Sequence, residues 1–301
     1  MKKDFSLLLF GGFLILAVAY SNVQSQTGSN PGPRGFDIQS MFSDAMSNME
    51  RAFTQLDEGT NPEDEYFLGR AVAASILSTY RPYTANPGLT RYLNLICQVL
   101  VINSSGLELY NNTQVIILDS PEFNAFASPG GHIFITRGLA EQARSEDMLA
   151  AVIAHELAHI KLKHGINMIN EMRFREQAVD MANRAAALSG STSPATQRLM
   201  EFGSSISSMM DTLMVNGYSQ INEFEADREA LSLLAAAGYD PRALVEILRI
   251  LQGTQSSRPG GFNTTHPSPN ERISNIERHI RNHRVQDTSS YRVQRFEIGN
   301  S

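Results

Sequence analysis

Two histidines four residues apart, with a glutamate directly after the first, constrain this chain more than any other feature. The segment is His155-Glu156-Leu157-Ala158-His159. Residues four apart in an α-helix lie on one face, a turn apart. Two neutral imidazoles at that separation can hold one divalent ion, and zinc suits nitrogen ligands best among common metals. Glu156 would lie beside the water on such an ion and could act as its general base.

The residues around this motif predict a buried helix. Ser145 can serve as the N-cap, and Glu146 and Asp147 fall in the first turn, where the helix dipole favours negative charge. The helix would carry a broad apolar surface made of Leu149, Val152, Ile153, Leu157 and Ile160. A water-exposed helix would not need so much apolar surface. We therefore expect the helix in the core, where a rigid metal site should be built.

A catalytic zinc site normally has three protein ligands and an open position, so a further ligand is needed. The best source is the segment that contains Glu223 and Asp227. These residues share a helical face, so one carboxylate can bind metal while the other orients a ligand imidazole. The alternative is an ordinary acidic helical surface. His164 would point about 140° away from His159, so we predict a capping or surface role for it.

The first residues have the order of an export signal. Lys2 and Lys3 precede an apolar run that is short for a membrane span, followed by polar residues. We predict a signal peptide over residues 1–25, with an uncleaved anchor as the alternative, and a flexible linker over residues 26–35. The expected location is outside the cytoplasm, with a periplasm favoured and membrane association or secretion as alternatives.

The remaining chain is long enough for one large domain, which we place at residues 36–285. The whole sequence has a net charge of −6, which argues against nucleic acid as a partner. A Met-rich segment at about residues 166–215 predicts a helical insertion, with a mobile lid or a membrane- or client-contacting surface as alternatives. Residues 286–301 are expected to form a loosely ordered tail.

The coarse pattern predicts an α+β fold that is mostly helical. Tyr66–Tyr80 and Thr90–Asn103 favour helices. Val115–Leu118 and His132–Thr136 are short apolar runs typical of strands, and turn residues precede the second. We expect these two runs to form a small antiparallel sheet beside the motif helix.

Several motifs together resemble a known family. His155-Glu156-x-x-His159 followed by Glu223-x-x-Ala226-Asp227 is similar to the gluzincin zinc metallopeptidases that include HtpX, BepA and the CaaX prenyl endopeptidases. Asn124-Ala125-Phe126-Ala127 and Thr265-His266-Pro267 with Arg272 resemble further landmarks of these proteins. The likeness covers about Tyr66 to Arg281 and is strongest to exported stand-alone or BepA-like members.

The resemblance implies a zincin-type metallopeptidase domain with one Zn²⁺ per chain, held by His155, His159 and Glu223. It implies that Glu156 is the general base and that Asp227 supports a ligand from behind. It also makes His266 a candidate fourth ligand that keeps the enzyme latent, with a position beside the substrate as the alternative.

Two further residues are candidates for contact with the substrate or the transition state. Arg272 could steady the oxyanion of the tetrahedral intermediate or pair with a carboxylate near the cleft. His132 lies on a strand that we expect to be an exposed edge, where a peptide could pair with the main chain.

These features predict an exported zinc metalloendopeptidase that hydrolyses misfolded or stalled envelope proteins. Its partners would be polypeptide substrates, with contact to a membrane surface or an assembly machinery as a further possibility. The alternative is a chaperone or assembly factor for envelope proteins in which proteolysis is secondary. A structural zinc protein is disfavoured, because closed structural sites prefer cysteine-rich ligand sets.

Overall fold

The computed structural model describes residues 61–171, 217–253, 266, 268–283 and 289–299. In chain order the named elements of these residues are α1 (Pro62–Thr79), α2 (Pro87–Ile102), β1 (Gln114–Leu118), β2 (Ala125–Ser128), β3 (His132–Thr136), α3 (Arg137–Gln142), α4 (Glu146–Lys161), α5 (Gln220–Ala236), α6 (Arg242–Gly253), α7 (Pro269–His279) and α8 (Ser289–Gly299). Short 3-10 turns lie at Pro129–Gly131 and Ile280–Asn282, and residues 164–171 are also helical. The predicted α+β class with mostly helical content is confirmed.

The sheet is mixed, with strand order β1-β3-β2. β1 pairs with β3 in parallel, and β2 pairs with β3 in antiparallel orientation. The prediction of an antiparallel pair between the first and the third strand was therefore wrong. The turn at Pro129–Gly131 reverses the chain after β2, a strand that the sequence analysis missed, and this hairpin places β3 in the centre of the sheet.

Both faces of the sheet are covered, which explains why its strands carry almost continuous apolar residues. Phe134 of β3 packs with Ile116 and Phe126 on the α1 side. The alternate residues Ile133 and Ile135 pack on the opposite side, in the larger core that surrounds α4. The sheet is therefore a layer between α1 and the motif helix.

Close packing between α1 and the hairpin turn requires two glycines. A side chain at Gly69 of α1 would overlap the carbonyl group of Pro129. A side chain at Gly130 would overlap the backbone at Tyr66, and Gly130 also has a positive φ of 72°. Only glycine satisfies both demands without strain, so this contact fixes the hairpin against α1.

The motif helix α4 forms as the sequence predicts. The Ser145 side chain accepts a hydrogen bond from the Met148 amide at 3.2 Å, as an N-cap does. Every residue from Met148 to Ile160 is buried. The helix is packed on several sides by α2, α5, α6 and the sheet, so its side chains have little freedom to move.

The carboxy-terminal end of the chain differs from the expected loose tail. Residues Ser289–Gly299 form helix α8, which packs against α2 and α4. Arg292 pairs with Asp147, and Arg295 pairs with Glu146, so α8 is tied to the first turn of the motif helix. The polar composition of this segment hid a helix that is held by these ion pairs and by Phe296, which packs against the core.

Several predictions lie outside the described residues. They concern the signal peptide, the linker and most of the insertion at about residues 166–215. Of that insertion, residues 166–171 are described and are helical. Across the described ranges, no helix has the length and apolar character needed to cross a bilayer.

Candidate active site

Helices α4 and α5 bring three candidate ligands together. The Nε2 atoms of His155 and His159 are 3.2 Å apart. Glu223, in the first turn of α5, places Oε2 at 3.4 Å from Nε2 of His155 and Oε1 at 3.4 Å from Nε2 of His159. All three residues are buried, and their ligand atoms lie within 4.8 Å of one another. They form the one such group of metal-ligand side chains in the part of the chain that the structure describes.

The spacing of these donor atoms suits zinc. Zinc binds imidazole nitrogen and carboxylate oxygen at about 2.0–2.2 Å in tetrahedral geometry, so neighbouring ligand atoms lie roughly 3.3–3.4 Å apart. The three observed separations of 3.2, 3.4 and 3.4 Å are close to this spacing, with a different oxygen of Glu223 facing each imidazole. Oε1 of Glu223 also receives no well-oriented hydrogen bond from the described residues, although it is buried. A buried oxygen in this situation fits a metal ligand.

Glu223 remains anionic despite its burial. Burial would raise its pKa, but His266, Arg272 and the two imidazoles of the motif hold it well below the usual range. His266 contributes through Nδ1, which lies 2.8 Å from Oε2 of Glu223. The structure therefore places His266 on the candidate ligand carboxylate and outside the three-residue group.

Asp227 supports His155 from behind. Its Oδ1 atom lies 3.1 Å from Nδ1 of His155, on the side of the ring that faces away from His159. Arg272 donates two hydrogen bonds to the same carboxylate, at 2.9 Å through Nε and 2.6 Å through Nη2. Burial would raise the pKa of Asp227, but Arg272 and His155 hold it below its usual value. An anionic partner of this kind fixes the imidazole tautomer and the ring orientation.

Arg272 is 1% exposed and contacts both carboxylates of α5. Besides the two bonds to Asp227, its Nη1 atom lies 3.1 Å from Oε2 of Glu223. Of the two roles considered for this arginine, these contacts fit carboxylate pairing. The guanidinium group offsets two buried negative charges that would otherwise repel each other.

The two imidazoles differ in their protonation. Burial and Arg272 lower the pKa of His155, but the carboxylates of Asp227 and Glu223 outweigh them and raise it to about 9. Burial lowers the pKa of His159 to about 3, with Glu223 opposing this shift in part. His159 is therefore ready to bind a cation, whereas His155 must first release a proton.

Glu156 lies between the two histidines in sequence and is 2% exposed. Burial is the main cause that raises its pKa to about 7, with a further contribution from Glu223, while His155 and Arg272 act in the opposite direction. A carboxylate with a pKa near neutral pH can both accept and return a proton, which a general base must do.

Two residues beside His159 were not assigned to the site from the sequence. The ring of Tyr218 stacks on the His159 ring, with centroids 4.3 Å apart and an interplanar angle of 17°. His164 is 4% exposed, and its Nδ1 atom is 2.9 Å from Nδ1 of His159. The expected surface position of His164 is therefore wrong. Burial lowers the pKa of His164 and raises that of Tyr218.

The expectations for His132 also need correction. Its strand, β3, pairs on both sides and is not an edge. The His132 ring is buried and stacks on Tyr66 of α1, with centroids 5.8 Å apart. It therefore packs in the α1 layer, on the face of the sheet opposite the motif helix. Burial and the positive charge of Arg70 lower its pKa to about 4, so the imidazole is neutral at physiological pH.

Two histidines from one helix, a glutamate from a second helix and a buried carboxylate between the histidines are the arrangement of gluzincin metallopeptidases. The family comparison agrees with this class. The model described as Peptidase family M48 matches residues 88–280, and the chain belongs to this family. The resemblance inferred from the motifs is thereby confirmed.

Individual relatives share part of their length with this chain. The beta-barrel assembly-enhancing protease of Escherichia coli strain K12 is 27% identical over 64% of this chain and 39% of its own length. The mitochondrial metalloendopeptidase OMA1 of Schizosaccharomyces pombe is 32% identical over 67% of this chain and 54% of its own length. The mitochondrial metalloendopeptidase OMA1 of Bos taurus is 27% identical over 56% of this chain and 32% of its own length. The matched region thus spans less than two thirds of each of these relatives.

Proposed function

We propose that this protein is a zinc metalloendopeptidase that uses one Zn²⁺ per chain. The observation that carries the proposal is the convergence of His155, His159 and Glu223 at separations of 3.2–3.4 Å. The donor set of two imidazoles and one carboxylate is that of catalytic zinc sites in metallopeptidases. Membership of peptidase family M48 supports the same reaction class.

The residues of the site have distinct roles in this mechanism. A bound zinc ion would polarise the scissile carbonyl group and lower the pKa of water at the site. Glu156 takes the proton from the attacking water and then passes it to the leaving amine. Asp227 holds His155 in the tautomer that presents Nε2 to the ion, and Arg272 holds Asp227 in place.

The edge of β2 is the proposed binding surface for the peptide. The Thr136 amide donates to the Asn124 carbonyl at 2.9 Å. Hydrogen-bonded pairs alternate along an antiparallel ladder, so the main-chain groups of Ala125 and Ala127 point away from β3. Ala127 lines a small cavity together with His159. A peptide paired with this edge would therefore run past the histidines.

The opposite edge of the sheet offers no such surface, because other described residues occupy it. The Asn94 side chain bonds both main-chain groups of Val115, at 2.8 and 2.9 Å. The Tyr83 amide donates to the Ile117 carbonyl at 2.7 Å. The main-chain groups of Val115 and the Ile117 carbonyl are thus already bonded, which favours β2 as the edge for substrate.

We further propose that the substrates are misfolded or stalled envelope proteins, because main-chain pairing tolerates many sequences. The export signal over residues 1–25 and the linker over residues 26–35 would place the domain of residues 36–285 outside the cytoplasm. Ala125 and Ala127 are 2% exposed, so a substrate must displace what covers them. The contact between His266 and Glu223 supports a latent enzyme, in which movement of His266 away from Glu223 would accompany activation.

A role in assembly is the second candidate. It is favoured by the likeness to proteins described as beta-barrel assembly-enhancing proteases. In that case the protein would hold envelope proteins as a chaperone, and proteolysis would be secondary. Complementation of a strain that lacks this protein by the Glu156→Gln variant would separate the two functions. A chaperone does not need the general base, so the variant would restore its function, whereas it would not restore that of a peptidase.

The peptidase proposal is tested with purified full-length protein, casein as substrate and the Glu156→Gln variant. We expect the variant to retain one zinc per chain and to lose about 10²- to 10⁴-fold in activity, the usual contribution of a general base. Glu229→Gln is the matched control, since Glu229 of α5 is a partly buried glutamate that pairs with Lys161 and lies outside the three-residue group. Casein cleavage at the parent rate by Glu156→Gln would refute the assigned role.

The same assay tests latency. If the contact between His266 and Glu223 restrains the site, His266→Ala will cleave casein faster than the parent protein. An unchanged or lower rate, with zinc still bound, would count against latency.

A further inference from the structure

His164 lies behind His159 in the same way that Asp227 lies behind His155. Nδ1 of His164 is 2.9 Å from Nδ1 of His159, and the two rings meet edge to face at 70°. On its other side, Nε2 of His164 is 3.4 Å from Oε2 of Glu225. A row of side chains therefore runs from the partly exposed Glu225 through the buried His164 to the buried His159.

A break in the helix produces this contact. In a continuous helix His164 would point about 140° away from His159. Helix α4 instead ends at Lys161, and Lys163 has a φ of 58°, the one positive value at a non-glycine residue among those described. This conformation is costly for lysine, and the ion pair between its Nζ atom and Glu65 at 2.7 Å helps to hold it. The turn redirects the chain so that His164 returns to the His159 side.

The donor and acceptor roles along this row follow from the orientation of His159. Its Nε2 atom faces His155 and Glu223, so cation binding there requires the proton to be on Nδ1. That N–H can be satisfied only if Nδ1 of His164 is an acceptor, which places the His164 proton on Nε2. The Nε2–H group then points to the carboxylate of Glu225.

We propose that His164 is a positioning residue that fixes the tautomer and ring orientation of His159 for zinc binding, with Glu225 as its anionic partner. The inference rests on the proposed function, because it assumes that His159 is a ligand. His164 is not itself a ligand, since its Nδ1 faces the back of His159 and it lies outside the three-residue group. The two imidazoles are thus held by different means, one by a carboxylate and arginine and the other by a second histidine.

The test compares zinc affinity in full-length variants, measured by competition with a chelating dye at fixed pH. His164→Leu removes the acceptor nitrogen and fills the same space with an apolar side chain. We expect it to bind zinc about 10- to 100-fold more weakly, as is usual when the partner of a ligand imidazole is lost. His164→Asn can place its amide oxygen where Nδ1 lies, and we expect it to recover most of the affinity. A role in packing alone would not produce this recovery.

Glu225→Gln provides a second, milder variant, because this side chain is 43% exposed and is tolerant of change. We expect it to weaken zinc binding measurably, while the control Glu229→Gln on the same helix leaves it unchanged. If His164→Leu does not fold, His164→Asn and Glu225→Gln decide the question.

Parent-like zinc affinity in folded His164→Leu would overturn the inference, as would unchanged affinity in Glu225→Gln when the leucine variant cannot be obtained. Complete loss of stoichiometric zinc in both His164→Leu and His164→Asn would also overturn it, because it would make His164 a ligand. If the parent protein binds no zinc, the proposed function itself fails, and that result is distinct from the other outcomes.

Discussion

The two ends of helix α4 carry buried polar clusters that differ in one respect. At its first turn, Glu146 accepts hydrogen bonds from Tyr92 and Arg295, and Asp147 accepts from the Asp240 amide and Arg292. Every carboxylate oxygen of this first-turn cluster has a donor. Two turns further on, the site of His155, His159 and Glu223 has a buried oxygen without a well-oriented donor.

The comparison teaches how to separate structure from function among buried charges. The first-turn cluster is complete in itself, and its ion pairs fasten α8 to the motif helix. The site is incomplete in itself. Burial raises the pKa of Glu156 to about 7, while burial of His155 is outweighed by nearby carboxylates that raise its pKa to about 9. Buried polar groups that the protein does not satisfy are expected where a ligand satisfies them.

The largest expected difference between the two clusters concerns zinc affinity. Glu223→Gln removes the anionic ligand, and we expect zinc binding to weaken by more than about 100-fold, since loss of a supporting partner alone costs up to that much. Glu146→Gln is a matched change at a fully buried glutamate of the first-turn cluster. We expect it to leave zinc affinity unchanged and to lower the melting temperature. Equal zinc affinities for the two variants would remove the distinction.

A second contrast concerns the pH dependence of stability in the metal-free protein. Glu156 has a pKa of about 7 in the folded chain and about 4.5 when unfolded, so the folded state binds more protons between these values. Its contribution to stability is therefore present at low pH and is lost as the pH rises towards 7. We expect Glu156→Gln to be more stable than the parent by about 3 kcal/mol at pH 8, and equally stable near pH 4.5.

This contrast is measured by urea unfolding of both proteins at several pH values after removal of metal. Both carboxylate oxygens of Glu146 accept hydrogen bonds in the parent protein, so Glu146→Gln should be less stable than the parent at pH 8. A destabilised Glu156→Gln at pH 8 would show that Glu156 is a satisfied structural carboxylate.

The smallest expected effect concerns the link between α8 and α4. Arg295→Ala leaves Glu146 with fewer donors, and we expect a loss of about 1 kcal/mol of unfolding free energy, because the arginine is half-exposed. Arg249→Ala is the control, since Arg249 and Glu277 form a pair in which both partners are exposed. Urea unfolding should show almost no change for the control. An Arg295→Ala variant with weakened zinc binding would mean that the two clusters are coupled through the helix.

The sequence predicted those parts of the site that depend on local geometry. Helical spacing alone places His155 and His159 on one face, and Ser145 marks where the helix begins. The need for a third ligand, together with the resemblance, predicted that Glu223 would join the two histidines. In the structure Glu223 lies beside them. Each of these residues lies in a regular element whose period is fixed by backbone geometry.

The sequence did not predict features that depend on an irregular turn or on tertiary pairing. His164 reaches His159 only because Lys163 departs from helical geometry, and nothing local requires lysine to adopt that conformation. The central position of β3 depends on β2, whose alanines carry little strand signal. Helix α8 is held by ion pairs with distant residues, so its polar sequence resembled a loose tail.

The central claim is that two imidazoles of α4 and one carboxylate of α5 share a single zinc ion. X-ray absorption spectroscopy of the zinc-loaded parent and of the His155→Asn variant tests it most directly. The account predicts a first shell of nitrogen and oxygen near about 2.0 Å with scattering from two imidazole rings, and one ring fewer in the variant. Sulfur in the first shell, or an unchanged number of rings in His155→Asn, would contradict it.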